Sequence, residues 1–149
     1  MPTFLNRRRF LEVGAGSGLA AYAGTVRGRQ TTGANEKIVV GVMGVNNRGK
    51  TLARGFASRP NVEIAYICDV DTRAVDKAIA SLGDAQPTPP KGVGDFRKIL
   101  DDPAVDVLVV AAPNHWHAPA TILGCEAKKH VYVEKPCSQT AQEGEWAIE

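Results

Sequence analysis

Val39–Lys50 reads VVGVMGVNNRGK. A β-branched apolar run of strand length meets a turn, and the turn opens onto residues spaced as a helix. Gly44, Asn46 and Gly49 stand at the spacing of G-x-G-x-x-G, with the middle glycine replaced. By itself that spacing is weak evidence, but the strand before it and the helix after it are the context the pattern requires. Gly44 is expected to make the tight turn and Gly49 to let helix and strand pack closely. The helix start then offers free N–H groups and a positive dipole end to a pyrophosphate, with Asn46, Asn47 and Arg48 in the loop beside it. Asparagine tolerates left-handed backbone better than most residues, so the turn is expected to survive at Asn46. Its side chain would either crowd the phosphate approach or donate a hydrogen bond to it.

Working outward, NVEIAYICDVD reads as a second strand ending in acid, and Asp69 lies 20 residues beyond Gly49. An acid at that place accepts both ribose hydroxyls of a dinucleotide and repels a 2′-phosphate, which favours NAD over NADP. Asp71 is expected to cap the following helix, Ala74 to Leu82, which Gly83 stops. A proline-rich connection holds a very short strand near Gly92-Val93, and Asp95 caps one or two helical turns in DFRKILDD. VDVLVVAAPNHWH is the most apolar strand and runs into a polar tip. APATILGCEAKK reads as an amphipathic helix, HVYVEKP as a further strand, and SQTAQEGEWAIE as a helix opened by Ser138. Strand and helix alternate, which makes βαβ units. The fold class is therefore α/β, a Rossmann-type doubly wound parallel sheet. Ligands of such sheets bind beyond the carboxyl ends of the strands. The polar tips gather there: Asn46, Asp69, Asn114-His115-Trp116-His117 and Glu134-Lys135-Pro136.

The chain has 149 residues and a net charge of +2, which Arg7, Arg8 and Arg9 more than account for. No basic face argues for nucleic acid. The three cysteines, Cys68, Cys125 and Cys137, form no CxxC pair and read as small packed residues, and no metal site is expected. Residues 1–23 combine a basic start, a short apolar core and an Ala21-Tyr22-Ala23 cleavage site, the plan of a secretory signal. Arg7-Arg8-Arg9-Phe10-Leu11 resembles the twin-arginine export motif, with Glu12 where a basic residue is common. The apolar core is too short and glycine-rich for stable membrane insertion. Export to the periplasm or beyond is expected, with residues 24–36 as linker and 37–149 as the nucleotide-binding domain.

Four stretches in order, GVMGVNNRG, ICDVD, AAPNHWHAP and HVYVEKP, resemble the N-terminal domain of the Gfo/Idh/MocA oxidoreductases. The resemblance runs from Lys37 to the C-terminus, and Glu134-Lys135-Pro136 is its most specific part. It implies NAD as cofactor and a sugar or polyol as substrate. Lys135 would be the partner of the substrate hydroxyl, and Glu134 a neighbour of the nicotinamide ribose. Pro113, Asn114 and His115 would border the cofactor and His117 the chemistry. A cis Lys135–Pro136 bond is expected. Trp116 reads as packing before sugar stacking, and His130 as structural. With its export motif, the chain resembles a secreted, planctomycete-type branch of the family, similar in part to the NAD-dependent glycosidases of family 109. Three readings follow: a sugar or polyol dehydrogenase, a redox-assisted glycosidase, and a non-catalytic NAD-binding protein. The family also implies a final sheet strand and an antiparallel α+β domain beyond Glu149, through which a homo-oligomer is expected. On that reading the chain is a truncated part of a longer protein, without dehydrogenase turnover of its own and poorly soluble.

Overall fold

A computed structural model describes residues 37–148 of the chain. The export signal and linker expected over residues 1–23 and 24–36 lie outside the described residues. Five strands and five α-helices alternate: β1 (Ile38–Met43), α1 (Arg48–Ala57), β2 (Val62–Cys68), α2 (Thr72–Leu82), β3 (Lys91–Val93), α3 (Arg97–Leu100), β4 (Val107–Val110), α4 (His117–Glu126), β5 (His130–Val133) and α5 (Ala141–Trp146). The strands form one sheet in the order β3-β2-β1-β4-β5, every pair parallel.

Both faces of the sheet are covered, so its central strands are apolar on both sides. On one face Val40 and Val42 of β1, Ile64 and Ile67 of β2 and Val109 of β4 pack against α1 and α2. The fully buried stripe of α1 is Gly49, Ala53 and Ala57, spaced four apart, with the half-buried Leu52 and Phe56 packed beside it. On the other face Met43, Tyr66, Cys68, Leu108 and Val110 meet Phe96, Ile99 of α3 and Ala120 of α4. One irregularity interrupts β2. Val40 pairs with Ile64, but Gly41 pairs with Tyr66, leaving Ala65 as the extra residue of a bulge. The bulge lets Ile64 and Ile67, three apart, reach the same core, while Ala65 and Tyr66 both serve the other one.

Local signals account for the helix ends. Asp71 caps α2 by accepting from the Arg73 N–H at 3.0 Å, and Asp95 accepts from the Arg97 N–H at 3.0 Å ahead of α3. Helix α5 corrects an expectation: its cap is Thr140, not Ser138. Thr140 accepts from the Glu143 N–H at 3.2 Å, and the Glu143 carboxylate accepts from the Thr140 N–H at 3.1 Å. Only Thr140 has an acid three residues on, so only it can close this reciprocal pair. Helix α4 is not amphipathic in the expected sense, since Leu123 is exposed while Ala118, Ala120 and Gly124 are buried. No helix among the described residues is long and apolar enough to cross a membrane.

From β1 the chain moves to β2 and β3 on one side, then returns to β4 on the other. The loops after β1 and β4 therefore part, and a crevice opens between them at the carboxyl ends of the strands.

Candidate functional site

Gly44 makes the turn after β1 with φ +82°, and its N–H donates to the Cys68 carbonyl at 2.8 Å. A Cβ there would lie 2.5 Å from the Ala112 backbone, so both conformation and space call for glycine. A Cβ on Gly49 would lie 2.0 Å from the Gly44 carbonyl oxygen, which is how closely α1 leans on the turn. The turn survives with Asn46 in it, as expected, though not through a left-handed Asn46. Asn61 and Lys128 are the described non-glycine residues with positive φ, and Asn46 is not among them. The turn spends its left-handed residue at Gly44, so position 46 does not need glycine's freedom, and the Asn46 side chain stands exposed. At the start of α1, Asn47 makes no side-chain cap and the first turn carries no acid. The leading N–H groups of this ten-residue helix are left for a ligand or water.

Asp69 turns toward that loop. One carboxylate oxygen accepts from the Val45 N–H at 2.9 Å, the other from the Asp71 N–H at 3.0 Å. Each oxygen keeps a lone pair for a further donor. The two backbone donors hold the acid beside the open end of α1, the place where an adenosine ribose meets a dinucleotide loop.

A crevice of about 610 Å³ runs from the Gly44 turn past Asp69 to the loop after β3 and the tip of β4. Cys68 and Met43 form part of its floor, and Ala112, Pro113 and His115 lie along one side. Burial pushes the Cys68 thiol up to about 12, and the Asp69 and Asp95 carboxylates add to the shift. The floor is thus uncharged. Val70, Phe96 and Arg97 also line the crevice, and none was singled out from the sequence. Their signal was available, since each follows a strand tip just as Asn46 and Asp69 do. Trp116 is both packing and wall: its ring meets Phe96 edge-on at 5.9 Å, and 41% of it is exposed.

Beyond the crevice lies a second cluster. Asn114–Trp116 form a single 3₁₀ turn, which leads directly into α4 at His117. The Glu134 N–H donates to the Val110 carbonyl at 2.9 Å, carrying the β4–β5 ladder one step past the strands. The Glu134 carboxylate accepts from Arg48 Nε at 2.8 Å, so the start of α1 is tied to the tip of β5. Lys135 is exposed, and Lys135–Pro136 is cis. Gly44, Asp69, Pro113 and His115 therefore share the crevice, while Arg48, Glu134 and Lys135 gather past its end. Asn114 stands exposed in the turn between them.

The structure corrects the expectation for His117. Its ring is 2% exposed, and both nitrogens face backbone carbonyls, Pro136 at 2.6 Å and Ala112 at 2.8 Å. No ring nitrogen is left to exchange a proton with a substrate. The 3₁₀ turn rotates His117 inward, whereas His115, two residues earlier, stays exposed.

Residues 38–149 match a family model described as an oxidoreductase family with an NAD-binding Rossmann fold. A glycosyl hydrolase family 109 protein of Saccharopolyspora erythraea is 39% identical over 114 residues, covering 74% of this chain and 25% of that protein. An alpha-N-acetylgalactosaminidase of Shewanella oneidensis is 29% identical over 161 residues, covering 93% and 35%. Among solved structures, the WlbA dehydrogenase of Bordetella pertussis, in complex with NADH and UDP-GlcNAcA, is 25% identical with a TM-score of 0.67. That match covers 76% of this chain and 32% of the dehydrogenase. The chain thus spans about a quarter to a third of the length of these relatives.

Proposed function

The chain belongs to the Gfo/Idh/MocA oxidoreductase family, and on that premise we propose that it binds NAD for an enzyme acting on a sugar or polyol by hydride transfer. The observation that carries the reading is the placing of Asp69, whose carboxylate faces the Gly44 turn beside the uncapped start of α1. An anion suits that helix start, and a diol suits the two carboxylate oxygens. When bound, NAD supplies the hydride acceptor, or as NADH the donor. The leading amides of α1, near Asn46, Asn47, Arg48 and Gly49, hold the pyrophosphate. Asp69 accepts from the adenosine ribose, and Pro113, Asn114 and His115 border the nicotinamide side. Lys135 takes the proton that a secondary alcohol gives up from oxygen as its C–H pair leaves, or returns it in reduction. Glu134, steadied by Arg48, stands next to that exchange.

Titration calorimetry of the natural full-length protein with NAD and NADP tests the cofactor half, and micromolar binding of NAD with weaker NADP is expected. Lys135→Ala should keep NAD binding and lose turnover. Unchanged turnover would favour a non-catalytic binding protein. The family 109 relatives support a second reading, a glycosidase that uses bound NAD without net consumption. A nitrophenyl α-N-acetylgalactosaminide separates the two: nitrophenol release with no rise in NADH absorbance supports the glycosidase. The oligomer through a further domain stands as part of this proposal, to be read by light scattering of the same preparation. Export by the twin-arginine route is likewise proposed, and Arg7→Lys with Arg8→Lys should hold the precursor in the cytoplasm.

A further inference from the structure

His117 stands between two parts of the chain at once. One ring nitrogen faces the Pro136 carbonyl at 2.6 Å and the other the Ala112 carbonyl at 2.8 Å. Both neighbours are acceptors, and the ring lies where water does not reach. Glu134 and Lys135 directly precede Pro136 in the chain, Glu134 is paired with Arg48, and His115 lies in the turn before α4.

We propose that His117 is a positioning residue for Lys135: its buried ring, set between the Pro136 and Ala112 carbonyls, ties the segment that carries Lys135 to the tip of β4. The proposal rests on the reading of Lys135 as the substrate-hydroxyl partner. The other side of Lys135 is held too. Glu134 donates through its N–H to Val110 and accepts through its carboxylate from Arg48. The two neighbours of Lys135 are thereby anchored to β4 and α1, while its own side chain stays exposed. The ring acts on the chemistry through the backbone it holds, without touching substrate.

Nitrogen-detected NMR of the natural full-length protein at pH 7 reads the ring directly, with the His117 signals assigned by their loss in His117→Gln. A ring N–H proton in slow exchange, held by a backbone carbonyl, is expected, and a ring whose N–H exchanges freely with water overturns the proposal. The second measurement labels lysines by reductive methylation with ¹³C-formaldehyde and assigns Lys135 by its loss in Lys135→Arg. Glutamine can donate toward one carbonyl but not span both. In His117→Gln the Lys135 signal should therefore narrow and move toward that of a free lysine, while NAD affinity stays within about twofold. An unmoved Lys135 signal in a folded His117→Gln overturns the positioning role, whatever the loss of thermal stability. If that variant does not fold, the ring N–H of the natural protein decides. None of these readouts needs turnover, so an absence of dehydrogenase activity would count against the proposed function and leave this test intact.

Discussion

Replacing Asp69 by Asn takes one acceptor from a carboxylate that serves two backbone donors. Val45 and Asp71 each donate to a different oxygen, at 2.9 and 3.0 Å. The amide keeps one oxygen and turns an NH₂ toward the other N–H, donor against donor. A partly buried donor left without an acceptor costs about 1–3 kcal/mol, and the remaining bond loses its charge assistance. A fall in melting temperature of roughly 4–24 °C is therefore expected, at about 4–8 °C per kcal/mol for a small domain. Binding should suffer separately. A hydrogen bond to a charged group contributes about 1.5–3 kcal/mol, so losing one ribose bond of that kind weakens NAD about 10- to 100-fold. The same change removes the charge that would face a 2′-phosphate, and the preference for NAD over NADP should narrow by a similar factor. Calorimetry with both nucleotides, beside thermal melts, gives the two numbers independently. Asp71→Asn is the control, because that carboxylate is occupied by Arg73 on the helix surface. A folded Asp69→Asn protein that binds NAD within twofold of the natural one would refute the reasoning.

Gly49→Ala gains up to about 1 kcal/mol of helix propensity, but its methyl would stand 2.0 Å from a backbone oxygen. Overpacking of about 1–3 kcal/mol should win, with a lower melting temperature and weaker NAD binding; a stabilised variant would contradict the close packing of α1. Cys68, with its thiol near 12, is about one part in ten thousand thiolate at pH 8. Peptide mapping after iodoacetamide should find it unmodified while the exposed Cys125 and Cys137 react, and its labelling should rise about tenfold per pH unit. Thr140→Ala should cost about 1 kcal/mol and speed amide exchange in α5, whereas Ser138→Ala leaves both unchanged. The Asp102 carboxyl is held below its usual range by the Ala104 N–H first and by the Tyr66 hydroxyl next. Its stabilisation is present above the unfolded value and fades as pH falls through the folded one. Tyr66→Phe should accordingly raise the Asp102 titration and move the midpoint of acid unfolding to higher pH, read by carboxyl NMR and circular dichroism.

The layering of the fold was legible because it is written in short-range pattern. Val39–Met43, Ile64–Cys68 and Val107–Val110 are β-branched or apolar runs of strand length, and polar residues mark where each ends. Even the three-residue β3 showed itself near Gly92-Val93. Strand ends were less clear where the apolar run outlasts the ladder, as at Ala111-Ala112 after β4. Ser138 and Thr140 are alike as caps, and only the partner three residues on tells them apart. The site divides in the same way. Gly44, Gly49 and Asp69 are set by local turn chemistry and by spacing along one βαβ unit. His115 and His117 are the same residue type two apart, and what separates them is a 3₁₀ turn that carries no composition signal. Arg48 and Glu134 meet across 86 residues, a distance at which only the folded sheet decides neighbours. That the turn tolerates Asn46 was legible, but the pattern cannot say which of its positions spends the left-handed conformation, and it is Gly44.

The surplus residue in β2 is absorbed where it occurs: the ladder stands at Val40–Ile64 before it and at Gly41–Tyr66 directly after it. Excising Ala65 would straighten the alternation and keep every remaining β2 side chain on its present face, with Met43 still opposite Cys68 and Asp69 still at the strand tip. One residue can therefore be dropped from the middle of this strand without moving its end, and the ribose-facing carboxylate is insulated from changes of length upstream of it.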